Sequence, residues 1–432
     1  MKIMKRILSF LALLCVPLFG EPTEVREWRS TAGTTIKAAA LKVEGGQVFL
    51  KADDGREFKV PVDKFADEDR DFLKEHFEIK APEPGQPTAS AVAMVDGGLT
   101  YPPGEVSGPI DVGEGSTLFV YVPKTLREGR LAPLMFHTGA GGGSGNSVKA
   151  YAESAELNGW VIASSVQSRN GPDHPVVNHE HSKRCVEHLL ENLPIDEERV
   201  YFTGNSGGGA MSFYNALRIK SAGNMPIIGY SPDKKYEKKQ YCYGIGGNTD
   251  YNRYLTAHAT AEFGDRGFHR FHPGGHSNGP NWIGDEGITW LNGRYLGDQR
   301  KDSEMDAERL DYEASMLEWI SELQDSHPYR AHYWCNFLKE AYEIEGPNAA
   351  IVSGLLAELG KDANNVRYTE GIAALDEFSD KYYVGEGEGG GSKFKHTTSK
   401  IEKAAEKLAE EYQGVPLIED IAKGLGNPTV GK

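Results

Sequence analysis

Positive charge is in deficit. Lys and Arg together number 47 against 63 Asp and Glu, a formal net charge of −16. So acidic a chain repels phosphate, which excludes nonspecific binding to nucleic acid and disfavours an anionic polymer as substrate. Cysteine is scarce too, with four in 432 residues. Cys15 falls in the amino-terminal apolar run, and the odd remainder of Cys185, Cys242 and Cys335 cannot make a complete disulfide framework. One bridge and buried free thiols both stay open. The scattered spacing makes no zinc site, and His179-Glu180-His181 lacks the H-E-x-x-H spacing of a zinc protease helix. His181 and His188 read as residues of a solvated helix. No metal and no cofactor is therefore expected. Long apolar runs are missing beyond the first twenty residues, so no membrane span is expected.

At the amino terminus, Lys2, Lys5 and Arg6 precede the apolar run Ile7 to Phe19, and Gly20 stands before Glu21-Pro22. This pattern predicts a signal peptide over residues 1–20 and a secreted or periplasmic protein. Leu14 is too bulky for lipidation at Cys15. Residues 25–77 alternate as short strands with turns at Gly45-Gly46 and Asp53-Asp54-Gly55, then run into a short helix through Phe72 and Leu73. Residues 78–107 form a linker, stiffened by Pro82, Pro84 and Pro87. Strands and helices alternate from residue 108 to about 300, which argues an α/β, doubly wound sheet. Residues 301–432 read as a helical region without a catalytic signature.

The informative stretch is Tyr201 to Ala210, YFTGNSGGGA. Arg199 to Thr203 is β-branched and aromatic, a strand, and Gly207 to Ile219 reads as a helix. The G-x-S-x-G between them puts Ser206 on a tight strand-to-helix turn. A serine hydroxyl is a weak nucleophile and needs a base, itself oriented by an acid. Both belong downstream, in the order acid, then histidine. Gln240 to Ile245 is a candidate strand that ends near Asp250, and Phe268 to His272 is another that ends in a glycine-rich loop carrying His276. Asp250 and His276 are the partners chosen. Asp233 is the reserve acid and Asp265 a weaker one, while His258, His269 and His272 read as surface or packing histidines. The amide of Gly207 opens the helix and is one expected oxyanion donor. The other should come from Thr138 to Gly141, after the apolar strand Leu131 to His137, with Ala140 the leading residue. No Gly-Lys-Ser/Thr closes that glycine-rich loop, so a phosphate loop is not favoured.

The pieces PLMFHTGAGGG, DEERVYFTGNSGGGAMS, GIGGNTDYNRY and FHPGGHSNG make residues 108 to 296 resemble the α/β-hydrolase superfamily. Within it they are most similar to secreted esterases related to polyhydroxyalkanoate depolymerases and feruloyl or acetylxylan esterases. The resemblance implies a Ser206–His276–Asp250 triad and an ester substrate, with acylated polysaccharide the leading class. A departure is His137-Thr138-Gly139, where the family has a His-Gly pair. The front residues resemble an SLA1 homology domain 1 (SHD1), a small SH3-like β-barrel, through Arg26, Trp28, the hairpin DDGREFKVPV and the closing DEDRDFL. Its ligand is unknown, and Trp28 reads as core sooner than as a ligand-facing ring. A serine peptidase on the same fold and an exported binding or scaffold protein are the alternatives.

Overall fold

The computed structural model describes residues 23–30, 35–44, 47–52, 55–77, 100–126, 129–171, 174–230, 239–386, 392–394 and 396–426. The expected signal peptide, Asp233 and most of the expected linker lie outside these residues. The chain divides into two compact units, residues 1–90 and 91–432.

In the first unit, β1 (Arg26–Arg29), β2 (Thr35–Glu44), β3 (Gln47–Ala52) and β4 (Glu57–Pro61) pair antiparallel in sequence order, and helix α1 (Asp67–His76) follows. This corrects the SH3-like barrel expected there. Among the described residues no ladder returns from β4 to β1, so the strands make a four-stranded antiparallel sheet. Hairpin turns specify each neighbour pair but not closure, and here α1 completes the core. Trp28 is fully buried, with Phe65 and Phe72 edge-on to its ring. Its indole N–H donates to the Ala38 carbonyl at 2.8 Å. Trp28 is thus a core residue.

The second unit is built on one eight-stranded sheet. Its strands are β5 (Val106–Asp111), β6 (Thr117–Tyr121), β7 (Ala132–Gly139), β8 (Val161–Ser165), β9 (Ile195–Asn205), β10 (Gly223–Ile227), β11 (Tyr241–Gly247) and β12 (Gly267–His272). Their spatial order is β12-β11-β10-β9-β7-β8-β6-β5. Only β6 runs against its neighbours, pairing antiparallel with both β5 and β8. β5 begins inside the stretch expected as linker. β7, β8, β10 and β11 are buried along their whole length, as strands covered on both faces must be. The covering helices are α2 (Gly145–Lys149), α3 (Ala152–Asn158), α4 (Val176–Asn192), α5 (Gly207–Ala216), α6 (Arg253–Ala261) and α7 (Asn281–Asp298). The doubly wound α/β sheet expected from the sequence is present.

Beyond the sheet lie α8 (Asp306–Ser326), α9 (Pro328–Glu340), α10 (Gly346–Leu359), α11 (Ala363–Tyr382), α12 (Thr398–Glu411) and α13 (Ile418–Leu425). They share one hydrophobic core with the sheet, running from Tyr121 through Tyr243 and Trp334 to Leu425. A buried ionic group ties them further. Glu286 on α7, fully buried, accepts from Arg270 of β12 at 3.0 Å and from Arg330 of α9 at 2.8 Å, and Arg270 also donates to the Tyr368 hydroxyl of α11. Removing one partner would strand an uncompensated charge. Cys185, Cys242 and Cys335 are all free and buried, so of the two thiol readings the unbridged one holds. Among the described residues no helix is long and apolar enough to cross a membrane.

Asp285 on α7 gives a stability prediction. Burial pushes its carboxyl up to about 6, against hydrogen bonds from Ser154, and Oδ1 has no hydrogen-bond partner. The folded state therefore holds this proton more tightly than the unfolded one. This residue's share of stability falls as pH rises from about 4 to about 6 and stays low above that. Asp285→Asn should flatten that slope and raise Tm at pH 7 by a few degrees. Thermal melts from pH 4 to 7 test this, and a lower Tm for the variant at pH 7 would refute it.

Candidate active site

β9 delivers Ser206 to the carboxyl end of the sheet, and α5 leaves from it. Ser206 sits at φ 55°, ψ −118°, a conformation that a residue with a side chain adopts only under constraint. The constraint is backbone packing. A Cβ on Gly204 or on Gly208 would stand 2.0 Å from the Thr138 carbonyl oxygen. Only glycine at both places lets β7 close on the elbow, and the Ser206 amide is held by the Ile227 carbonyl at 2.9 Å.

The two expected partners arrive at the same edge. β11 and β12 run parallel to β9 through β10, so the loops after them flank the elbow. His276 Nε2 lies 2.9 Å from Ser206 Oγ, and His276 Nδ1 lies 2.5 Å from Asp250 Oδ2. Asp250 is buried at 1% exposure, and its other oxygen, Oδ1, accepts the Asn252 amide at 2.5 Å. The carboxylate is thus fixed by a backbone donor on one oxygen while the other faces the imidazole. That arrangement holds the proton on Nδ1 and leaves Nε2 to accept from the serine.

Gly207 is the first residue of α5, where an amide has no partner within the helix. Gly139 pairs in register with Asn205, and Ala140 and Ser206 are the residues that directly follow these paired strand ends. The Ala140 carbonyl accepts the Asn170 amide at 2.8 Å, which fixes this turn. Of the other candidates, Asp265 lies on an exposed turn before β12, at the opposite end of that strand from His276. His258 is exposed beside Glu262, and His269 and His272 are buried. Burial drives the His269 imidazole down to about 3, so it stays neutral.

Sequence reasoning missed several residues here. The Tyr251 ring stacks on His276 with centroids 4.6 Å apart, and its hydroxyl lies 3.2 Å from Nε2. Burial, then the Asp250 charge, raises the phenol above its usual value. Beside Ser206 opens a cleft of about 440 Å³ bordered by Asn170, His174, Tyr214, Tyr230 and Asn252. These come from four separate stretches of chain, and no local pattern joins them.

No family model matches the chain, and no curated protein matches it. The SHD1 resemblance therefore rests on its residues alone. Among solved structures, an esterase from the archaeon Pyrobaculum calidifontis is similar at 17% identity, covering 45% of this chain and 83% of that one, with a TM-score of 0.36. An acetyl xylan esterase from Aspergillus awamori is similar at 17% identity over 44% of this chain and 99% of that one, also with a TM-score of 0.36. A bacterial heroin esterase is similar at 15% identity over 44% and 84%, with a TM-score of 0.35. Likeness this low does not bear on what this chain acts on. The order strand–elbow–helix, then Asp250, then His276 belongs to the chain itself.

Proposed function

We propose that the chain is an exported serine hydrolase that cleaves carboxylic esters through a covalent acyl-enzyme. The observation that carries this reading is the continuous line from Ser206 Oγ through His276 to the buried Asp250. Ser206 Oγ attacks the ester carbonyl as His276 Nε2 takes its proton. Asp250 balances the imidazolium, and the amides of Gly207 and Ala140 are the proposed donors to the oxyanion. His276 returns the proton to the alkoxide leaving group. Water then attacks the acyl-serine by the same route and regenerates the hydroxyl. Export rests on residues 1–20 alone.

The cleft supports a hydroxylated alcohol portion, as in an acylated sugar. Its border pairs flat rings, Tyr214 and Tyr230, with amides, Asn170 and Asn252. Such a wall covers a sugar face and exchanges hydrogen bonds with its hydroxyls. The test is a panel of p-nitrophenyl esters graded by acyl length, acetylated xylan, and peptide anilides. Ester turnover without anilide cleavage is expected, with an organophosphate blocking activity and adding its mass to the Ser206 peptide. Anilide cleavage exceeding ester cleavage would favour the peptidase, and silence on all three the scaffold.

A further inference from the structure

We infer that the carboxy-terminal helix α13 is a working part of the Ser206 site, acting through Asn248 as a positioning residue. This rests on the proposed function above, but the contacts that carry it are separate from the catalytic ones.

Asn248 directly follows β11, two residues before Asp250, and is buried at 4% exposure. Its side chain makes three hydrogen bonds. Oδ1 accepts from the Gly274 amide at 2.8 Å, and Gly274 lies two residues before His276. Nδ2 donates to the carbonyls of Asp420 at 3.0 Å and Ile421 at 3.1 Å, both on α13. The backbone repeats the link, with the Asn248 amide donating to the His272 carbonyl and the Thr249 amide to the Gly274 carbonyl, each at 2.9 Å. One side chain therefore joins the acid's loop to the histidine's loop and anchors the pair on a helix some 172 residues away in sequence.

The helix is shaped for this contact. A Cβ on Gly424 would stand 2.0 Å from Asn248 Nδ2, so glycine is what admits the amide. Tyr254 on α6, the helix that follows the acid loop, donates to the Leu425 carbonyl at 3.0 Å and fixes the end of α13. A buried amide with all its groups satisfied is a rigid joint, because any displacement leaves polar groups unpaired. With α13 seated, the two loops are held at the spacing that keeps His276 Nδ1 against Asp250 Oδ2. Without it, the two loops keep their bonds to each other but lose the anchor that fixes the joined pair.

The test uses the full-length protein with Gly424→Ala, Asn248→Ala and the milder Asn248→Asp, which keeps an acceptor for Gly274. Leu189→Ala on α4, buried in a hydrophobic cluster separate from the one that holds α13, is the stability control. Two quantities are read: kcat and KM on p-nitrophenyl acetate, and the deshielded proton of the His276–Asp250 hydrogen bond by NMR. Gly424→Ala and Asn248→Ala should lower kcat about ten- to hundredfold with KM within about twofold, as expected when reacting groups are misplaced by a fraction of an ångström. The NMR proton should shift or broaden, Asn248→Asp should fall between wild type and Asn248→Ala, and the double variant should be no worse than the poorer single. Leu189→Ala should lower Tm and leave kcat unchanged. Folded Gly424→Ala and Asn248→Ala proteins with wild-type kcat and an unmoved proton overturn the inference. So does Leu189→Ala if it loses as much kcat as they do. A wild type without ester turnover whose proton still moves in Gly424→Ala refutes the proposed function and leaves the coupling standing.

Discussion

Ser206→Ala should lower kcat on a p-nitrophenyl ester by about 10⁶-fold, because the hydroxyl is the only atom in the proposed mechanism that forms the acyl bond. His276→Ala should cost about as much, and the double variant little more, since base and nucleophile act as one unit. The fold should survive, as Ser206 Oγ is bonded to the exposed His276 and to nothing in the core. A companion variant separates chemistry from strain. Ser206 holds φ 55°, and alanine inherits that strain while glycine relieves it. Ser206→Gly should therefore be as inactive as Ser206→Ala yet melt higher, with a relief on the order of 1 kcal/mol. Steady-state rates and thermal melts of the three proteins decide the matter. Residual turnover in Ser206→Ala within about a hundredfold of wild type would remove Ser206 as nucleophile.

Asp250→Asn should lower kcat by about 10⁴-fold with little change in KM or Tm. The reason lies in the second oxygen of the carboxylate. The Asn252 amide donates to Oδ1 at 2.5 Å, so an asparagine at 250 must turn its own carbonyl to that donor. Its NH₂ group then faces His276 Nδ1, where the carboxylate had accepted. The imidazole must offer a lone pair at Nδ1 and carry its proton on Nε2, where it can no longer accept from Ser206. The variant would thus be well folded, with the histidine in the wrong tautomer. A near-wild-type rate would show that the orienting acid is another residue, with Asp233 the first to examine.

The elbow was legible because all its determinants are local: a β-branched strand, two glycines where backbones touch, and an apolar helix. Asp250 and His276 were legible one step less directly, since each follows a strand and comes in the right order after the serine. Rejecting Asp265 took the structure, because only the parallel pairing of β12 through β11 and β10 to β9 shows that residues before β12 lie at the sheet edge away from Ser206. Helix α7 was missed. Four of its residues, at 284, 287, 293 and 297, are glycines with poor helix propensity, and it is buried on nearly every side, so it shows no amphipathic stripe. The front module's strands were readable from turns and alternation. Whether they close is set by pairing between strands distant in sequence, and there the expectation of a barrel failed.

What the sequence determined alone is what neighbouring residues can enforce: the kinked turn at Ser206 and the alternation that builds a doubly wound sheet. Tertiary structure alone decided the rest: the reach of His276 to both its partners, the Tyr251 ring lying on it, and the seating of α13 against Asn248. Those contacts join residues up to 173 positions apart. Their geometry follows from how a whole core packs, which no local propensity records.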